Sequence, residues 1–475
     1  MAFSTDDTIK QAVALFRTGN LNEAELYFKQ VLQHQPTHLG ALNLLGVLMT
    51  QLGRYSEAEP YIKGALELNP NSDATLYNYA IVLKFLKRPI EALQYLDKAT
   101  SINEAVAENW NNRGSILNDL GRYDEAIVNF KKAVAIQPNY PEALTNIGNS
   151  LVRLKRHEEA FVFYENALTM DPSLAEAWLG RARCFIASNQ DSNALLAYEK
   201  FFSLQRDLFR RLGRNKKALT GNREFLAGIT NDSSEFRAII NTLRLFKPNK
   251  AAGVDKIRVG SAADGGYIQL NDFTNITHAI SLGISTDDNW DISLALRGIP
   301  VDQFDHSILE APTSHRLLNF SRKKISARRS ADAATLEDIV APYSRPGLPD
   351  LILKMDIESD EWEVLDNTNA ETLSRFAQVI CEYHSFHLLR EPQFQMRARR
   401  VLEKLGRQFF VIHTHANNFG GLSIMADKVI PHVLEVTYAN RERYKIEASD
   451  ESLPTPLDFP CDPYAEEIAL EFFTQ

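Results

Sequence analysis

"GRYSEAEPYIKGALELNP", residues 53–70, returns as "GRYDEAIVNFKKAVAIQP" at 121–138, two steps of 34 residues further on. That recurrence decides how the first half of the chain reads. In the same register prolines fall at Pro36, Pro70, Pro138 and Pro172, with Glu104 in the slot between the middle two. Alanines recur at Ala24, Ala58, Ala92, Ala126, Ala160 and Ala194. Small residues form a third column, Ala12, Gly46, Ala80, Gly114, Gly148 and Ala182. A fourth column is large and apolar: Phe28, Ile62, Leu96, Phe130, Tyr164 and Tyr198.

The pattern predicts one helix pair per repeat. Small residues sit where two helices approach closely, and large ones fill the space between pairs. The prolines are expected to open each following helix, where a missing N–H is tolerated. Over residues 1–206 the chain resembles the tetratricopeptide repeat (TPR) family, with about six repeats. The resemblance implies an all-α solenoid that does no chemistry and whose concave face binds a protein or peptide segment. Asn78, Asn112 and Asn146 form a further column, two residues before the small one. As side-chain amides they can donate and accept together, which suits the backbone of a bound polypeptide. A similar asparagine ladder is seen in TPR arrays attached to protein glycosyltransferases. The other reading is three polar positions on a solvated helix face.

Composition narrows the classes. A chain of 475 residues, 44% hydrophobic and 24% charged, has room for two or three ordinary globular domains. Acidic residues outnumber basic ones, 61 to 52, and the net charge of −9 argues against bulk nucleic-acid binding. Cys184, Cys381 and Cys461 are far apart and make no CxxC pair, so a disulfide framework or structural zinc is not expected. A reducing cytoplasm fits best. Nothing reads as a membrane span, and "MAFSTDDTIK", with no basic stretch followed by an apolar one, does not support the expectation of a signal peptide.

Residues 207–250 read as a helical cap and linker. From 251 to 475 short apolar runs alternate with helical stretches: "HAISLGI" (278–284), "IPVDQFD" (299–305), "DLILKMD" (350–356), "AQVICEYH" (377–384) and "QFFVIHTH" (408–415). Such alternation predicts a mostly parallel sheet with helices on both faces, binding ligands at the carboxyl ends of its strands. Gly283 follows the first run, where the chain must turn close to a ligand. Asp305 ends the second, the usual place for a carboxylate that accepts ribose hydroxyls of an adenosine cofactor. A basic cluster, Arg322, Lys323, Lys324, Arg328 and Arg329, precedes a helix expected to start at Ser330.

"LKMDIESDEWEVL" (353–365), "DGGYIQL" (264–270), "SLGIS", "VDQFD", "EYH" (382–384), "HTHANN" (413–418) and "LEVTY" (434–438) together resemble the FkbM-type methyltransferases. Ser359 departs from the glycine usual in that family's KxDIEGxE signature. The resemblance implies a Rossmann-like class I fold, S-adenosylmethionine as cofactor, and methylation of hydroxyl groups on sugars or polyketides.

Methyl transfer to a hydroxyl needs a base, or a metal that acidifies the hydroxyl. Strand periodicity puts Glu382 and His384 on one face, and likewise His413 and His415. With Asp356 these groups offer a histidine base oriented by a carboxylate, a divalent metal site of Asp356, Glu382 and a histidine, or plain strand-end hydrogen bonding. Asp264 and its two glycines either fold over the cofactor or make a tight turn. His415, Asn417 and Asn418 are expected to face the acceptor. Asp360, Glu361 and Glu363 read as ordinary helix-start acids. The expected activity is O-methylation of a sugar or glycoconjugate, with the repeats recruiting a partner or carrier. The alternatives are a TPR scaffold with an inactive methyltransferase-like domain and, less well supported for want of a suitable DxD, a glycosyltransferase.

Overall fold

The computed structural model describes residues 5–212, 223–225, 234–261, 265–343, 347, 349–418, 421–425, 428–449, 451–458, 461, 468 and 470. It divides into two compact units, residues 1–184 and 185–475. No helix among the described residues is long and apolar enough to cross a membrane.

The first unit is a run of helix pairs, such as Leu39–Gln51 with Tyr55–Leu68 and Pro141–Arg153 with His157–Met170. The small column meets the large one. A Cβ on Gly46 would lie 2.2 Å from Ile62, one on Gly114 2.7 Å from Phe130, and one on Gly148 2.6 Å from Tyr164. All three large side chains are fully buried. At these three positions the helices therefore pack at a distance that leaves no room for a Cβ.

The prolines need a correction. Pro36, Pro70, Pro138 and Pro172 do not open the next helix; each stands in the turn, one residue past the C-cap of the preceding one. A residue without an N–H cannot continue a helix, so the column marks stops. A second repeated feature lies at the surface. Arg54 pairs with Glu57 and reaches back to Glu25, and Arg88 pairs with Glu91 and reaches back to Glu59, all at 2.6–2.7 Å. Each such exposed pair is worth only about 0.2–1 kcal/mol.

Of the expected cap over 207–250, residues 213–222 and 226–233 lie outside the described residues; helix Ser234–Leu243 follows them. The second unit then opens with an antiparallel hairpin, β1 (Lys256–Gly260) and β2 (Gly266–Leu270). Its main sheet has seven strands: β3 (His278–Leu282), β4 (Val301–Phe304), β5 (Leu318–Ser321), β6 (Leu351–Met355), β7 (Phe376–Tyr383), β8 (Phe409–Ala416) and β9 (Leu434–Asn440). Their spatial order is β8-β9-β7-β6-β3-β4-β5, with β9 antiparallel to both neighbours and the other pairings parallel. One face carries the apolar cluster of Leu353, Met355, Val379, Val436 and Trp362. The other is covered by the hairpin and helix Asn289–Ala295 through Tyr267, Trp290 and Leu294.

The helix expected from Ser330 begins instead at Leu336. Ala333–Ala334 first pairs with Lys324–Ile325, and Thr335 then caps the helix in a box with Asp338. The box supplies side-chain acceptors for two of the N–H donors that a helix start leaves open, so it outcompetes the lone serine.

Candidate active site

The order of connection reverses between β3 and β6, and the crevice beyond their carboxyl ends is where such sheets bind ligands. Gly283 leaves β3 with φ of 75°. A Cβ there would lie 1.6 Å from the carbonyl oxygen of Asp356, so glycine is required by the approach of the neighbouring strand end. Beyond them opens a cavity of about 170 Å³ lined by Gly283, Asp305, His306, Lys323, Asp356 and Glu358, among others.

Asp305 holds the wall of this cavity together. Its Oδ2 accepts from the backbone N–H groups of Ile284 and Ser285 at 3.0 and 2.9 Å, and its Oδ1 from the Ser307 N–H and hydroxyl at 2.7 and 2.6 Å. Burial would raise its pKa, but these four bonds outweigh it and hold the carboxyl below its ordinary range. Of the basic cluster, Lys323 and Lys324 reach the cavity, and Lys324 pairs with Asp360 at 2.9 Å.

Strand alternation sends Lys354 and Asp356 to the face under the hairpin. The Lys354 ammonium donates to the Gly283 carbonyl at 2.7 Å, tying the two strand ends. Asp356, Glu382 and His384 then converge, with ligand-type atoms all within 4.8 Å of one another. Loss of solvation raises the Asp356 pKa to about 6, against the opposing pull of Lys354 and His384. Glu382 accepts from the Asn417 amide at 3.0 Å and from the Tyr267 hydroxyl at 3.4 Å.

His384 is gripped from behind. Its Nδ1 lies 3.1 Å from Glu361 Oε1, an oxygen that also accepts from the backbone N–H groups of Ile357 and Ser359. The Trp362 indole donates to the His384 carbonyl at 2.8 Å. Burial opposes charge on the ring. The Glu361 hydrogen bond and the charges of Glu361, Asp356 and Glu358 outweigh it, raising the imidazole above its ordinary value.

The two later histidines stand elsewhere. His413 Nε2 lies 2.8 Å from Asp458 Oδ1, and His415 Nδ1 lies 3.4 Å from Glu435 Oε2, with Cys461 donating to the other oxygen of that carboxylate. Asn417 joins the Asp356 group through Glu382, and Asn418 is buried. Asp264 lies outside the described residues. In the first unit the asparagines turn toward the preceding repeat: Asn78 donates to Asn43, Asn112 to the Tyr77 hydroxyl and Asn146 to Asn111, at 3.3, 3.1 and 3.0 Å.

Sequence reasoning missed Glu361, Glu435, Asp458 and Tyr267. Glu361 carried a signal, as the last acid of the quoted signature. Its complete burial contradicts the role of a solvated helix-start acid.

Family models match both halves. Models of TPR repeats match residues 114–155 and 141–174, that of the TT21 fifth ARM repeats domain matches 8–111, and that of the methyltransferase FkbM domain matches 246–409. No curated protein matches the chain. Among solved structures, MamA from Desulfovibrio magneticus RS-1 is 22% identical, covering 36% of this chain and 96% of that one, with a TM-score of 0.34. YrrB, described as a TPR protein with an unusual peptide-binding site, is 25% identical, covering 36% and 88%, with a TM-score of 0.33. Pseudomonas aeruginosa pilF is 19% identical, covering 42% and 91%, with a TM-score of 0.38. With its repeating helix pairs followed by a mostly parallel sheet, the chain carries tetratricopeptide repeats in its first half and a methyltransferase domain of the FkbM type in its second.

Proposed function

We propose that the second unit is an S-adenosylmethionine-dependent O-methyltransferase acting on a hydroxyl of a sugar or glycoconjugate, and that the repeats recruit the protein partner or carrier in the cytoplasm. The observation that carries this reading is the meeting of Asp356, Glu382 and His384 beside the cavity at the switch point. The cavity fits such a cofactor. Asp305, Asp356, Glu358 and Asp360 line it with carboxylates that suit a sulfonium, Lys323 and Lys324 line it as well, and Gly283 keeps its own stretch of wall free of side-chain bulk. When bound, the cofactor supplies an electrophilic methyl group.

Asp356 accepts the proton of the acceptor hydroxyl. A pKa of about 6 leaves it ionised at neutral pH yet more basic than an ordinary carboxylate. His384, held by Glu361, sets the charge beside it. Glu382, fixed by Asn417 and Tyr267, orients the acceptor. The same three groups offer two carboxylates and an imidazole to Mg²⁺ or Mn²⁺, which would acidify the hydroxyl directly.

One observation favours the other reading, a TPR scaffold with an inactive domain. All four donors on Asp305 come from the chain itself, so a ribose would have to displace one. Calorimetric titration with S-adenosylmethionine separates the two. Binding with turnover on a hydroxyl acceptor supports the enzyme; no heat at millimolar cofactor leaves only the scaffold.

A further inference from the structure

We propose that His415, Glu435 and Cys461 form a zinc site that fastens the C-terminal segment to the sheet beside the catalytic group. The three side chains come from β8, from β9 and from a segment more than twenty residues beyond β9, and all are buried, at 3, 7 and 5% exposure. Their ligand-type atoms lie within 4.8 Å of one another. Two contacts are short, each to a different oxygen of the carboxylate: Cys461 Sγ to Glu435 Oε1 is 3.0 Å, and His415 Nδ1 to Glu435 Oε2 is 3.4 Å. Zinc bonds of about 2.3 Å to sulfur and about 2.0–2.2 Å to nitrogen and oxygen set tetrahedral ligand atoms roughly 3.3–3.6 Å apart. Bringing the three ligand atoms from within 4.8 Å of one another to those separations takes side-chain shifts of roughly an ångström.

The donor set names the metal. Thiolate with imidazole and carboxylate suits zinc, whereas magnesium and calcium take oxygen. On binding, the Cys461 thiol loses its proton to solvent, and thiolate plus carboxylate balance the two charges of the ion. With three protein ligands, a fourth position is left for water. The position in the fold gives the ion a purpose. Glu435 pairs in register with Glu382 on one side and with His415 on the other. Asn417, two residues past His415, holds Glu382, and Asp458, three residues before Cys461, holds His413. An ion at this point ties the strand end that carries Asn417 to the segment that carries Cys461.

The test uses the full chain, stripped with chelator and titrated with Co²⁺. One equivalent is expected to produce an intense thiolate-to-cobalt charge-transfer band, absent in Cys461→Ser and retained in Cys184→Ser and in Asp356→Asn. Zinc affinity in Cys461→Ser should fall by more than the roughly 10–100-fold that loss of an outer-shell partner brings. The oxygen-and-nitrogen set of Asp356, Glu382 and His384 cannot give that band. Cobalt bound without it, or a band that survives Cys461→Ser, overturns the proposal. Should Cys461→Ser not fold, the wild-type spectrum alone decides, since a chain that binds no cobalt through sulfur has no such site.

Discussion

Glu361 and His384 are bound to each other 23 positions apart, through an oxygen that also collects the N–H groups of Ile357 and Ser359. The turn after β6 and the end of β7 thus share one buried carboxylate. Removing its charge in Glu361→Gln should let the His384 pKa fall back, visible by NMR as a titration of its ring protons moved to lower pH. Because the folded pKa is raised, the associated stability is present below pH 6.5 and is lost as pH rises through the folded value. Denaturant melts across that window should slope in the wild type and flatten in the variant.

Asp356→Asn should abolish the base while leaving the cofactor's cavity in place. Loss of a general base lowers kcat by about 10²–10⁴-fold. The wild-type rate should rise with pH through about 6, as the carboxyl ionises. The stability effect has the opposite sign. A folded pKa raised from 3.8 means that ionisation opposes folding, so the wild type loses stability between pH 3.8 and about 6. The asparagine variant should therefore be inactive yet more stable at pH 8, by about 1–3 kcal/mol.

Gly283→Ala would drive a methyl group into the Asp356 carbonyl and place alanine at a positive φ. Strain and overpacking together should cost about 3 kcal/mol. A matching drop in the urea midpoint without loss of cofactor affinity would show that the glycine serves the strand ends rather than the ligand.

Ser359 sits at φ of 82°, in the left-handed region. Glycine would relieve about 1–2 kcal/mol of strain. Against that stand about 0.5–1 kcal/mol of added chain entropy and the loss of the Ser359–Ser385 hydroxyl contact at 3.0 Å. Ser359→Gly should stabilise by a few tenths of a kcal/mol up to about 1, measured by chemical denaturation.

The repeat was legible because its columns are local: Gly114 and Phe130 lie sixteen residues apart and recur in other copies. Strands β3, β4, β6, β7 and β8 were legible as apolar runs, and the convergence of Asp356, Glu382 and His384 followed from strand ends and period-two alternation. What the sequence hid depends on distant segments. His413 and His415 share a face as alternation requires, yet Asp458 and Cys461 draw them toward the C-terminal segment. That segment has no periodicity to announce where it lies. Glu361 looked solvated because its neighbours are acidic, and only the fold shows it sealed under His384.

The asparagine column has a mechanical meaning. Asn78, Asn112 and Asn146 each hold the preceding repeat through the side-chain amide, and Asn112 also donates to the Glu108 carbonyl of its own helix at 3.0 Å. A guest that claimed these amides would have to unfasten joints between neighbouring turns. Binding along the column would then change the pitch of the spring, and tension on the array would be felt as affinity.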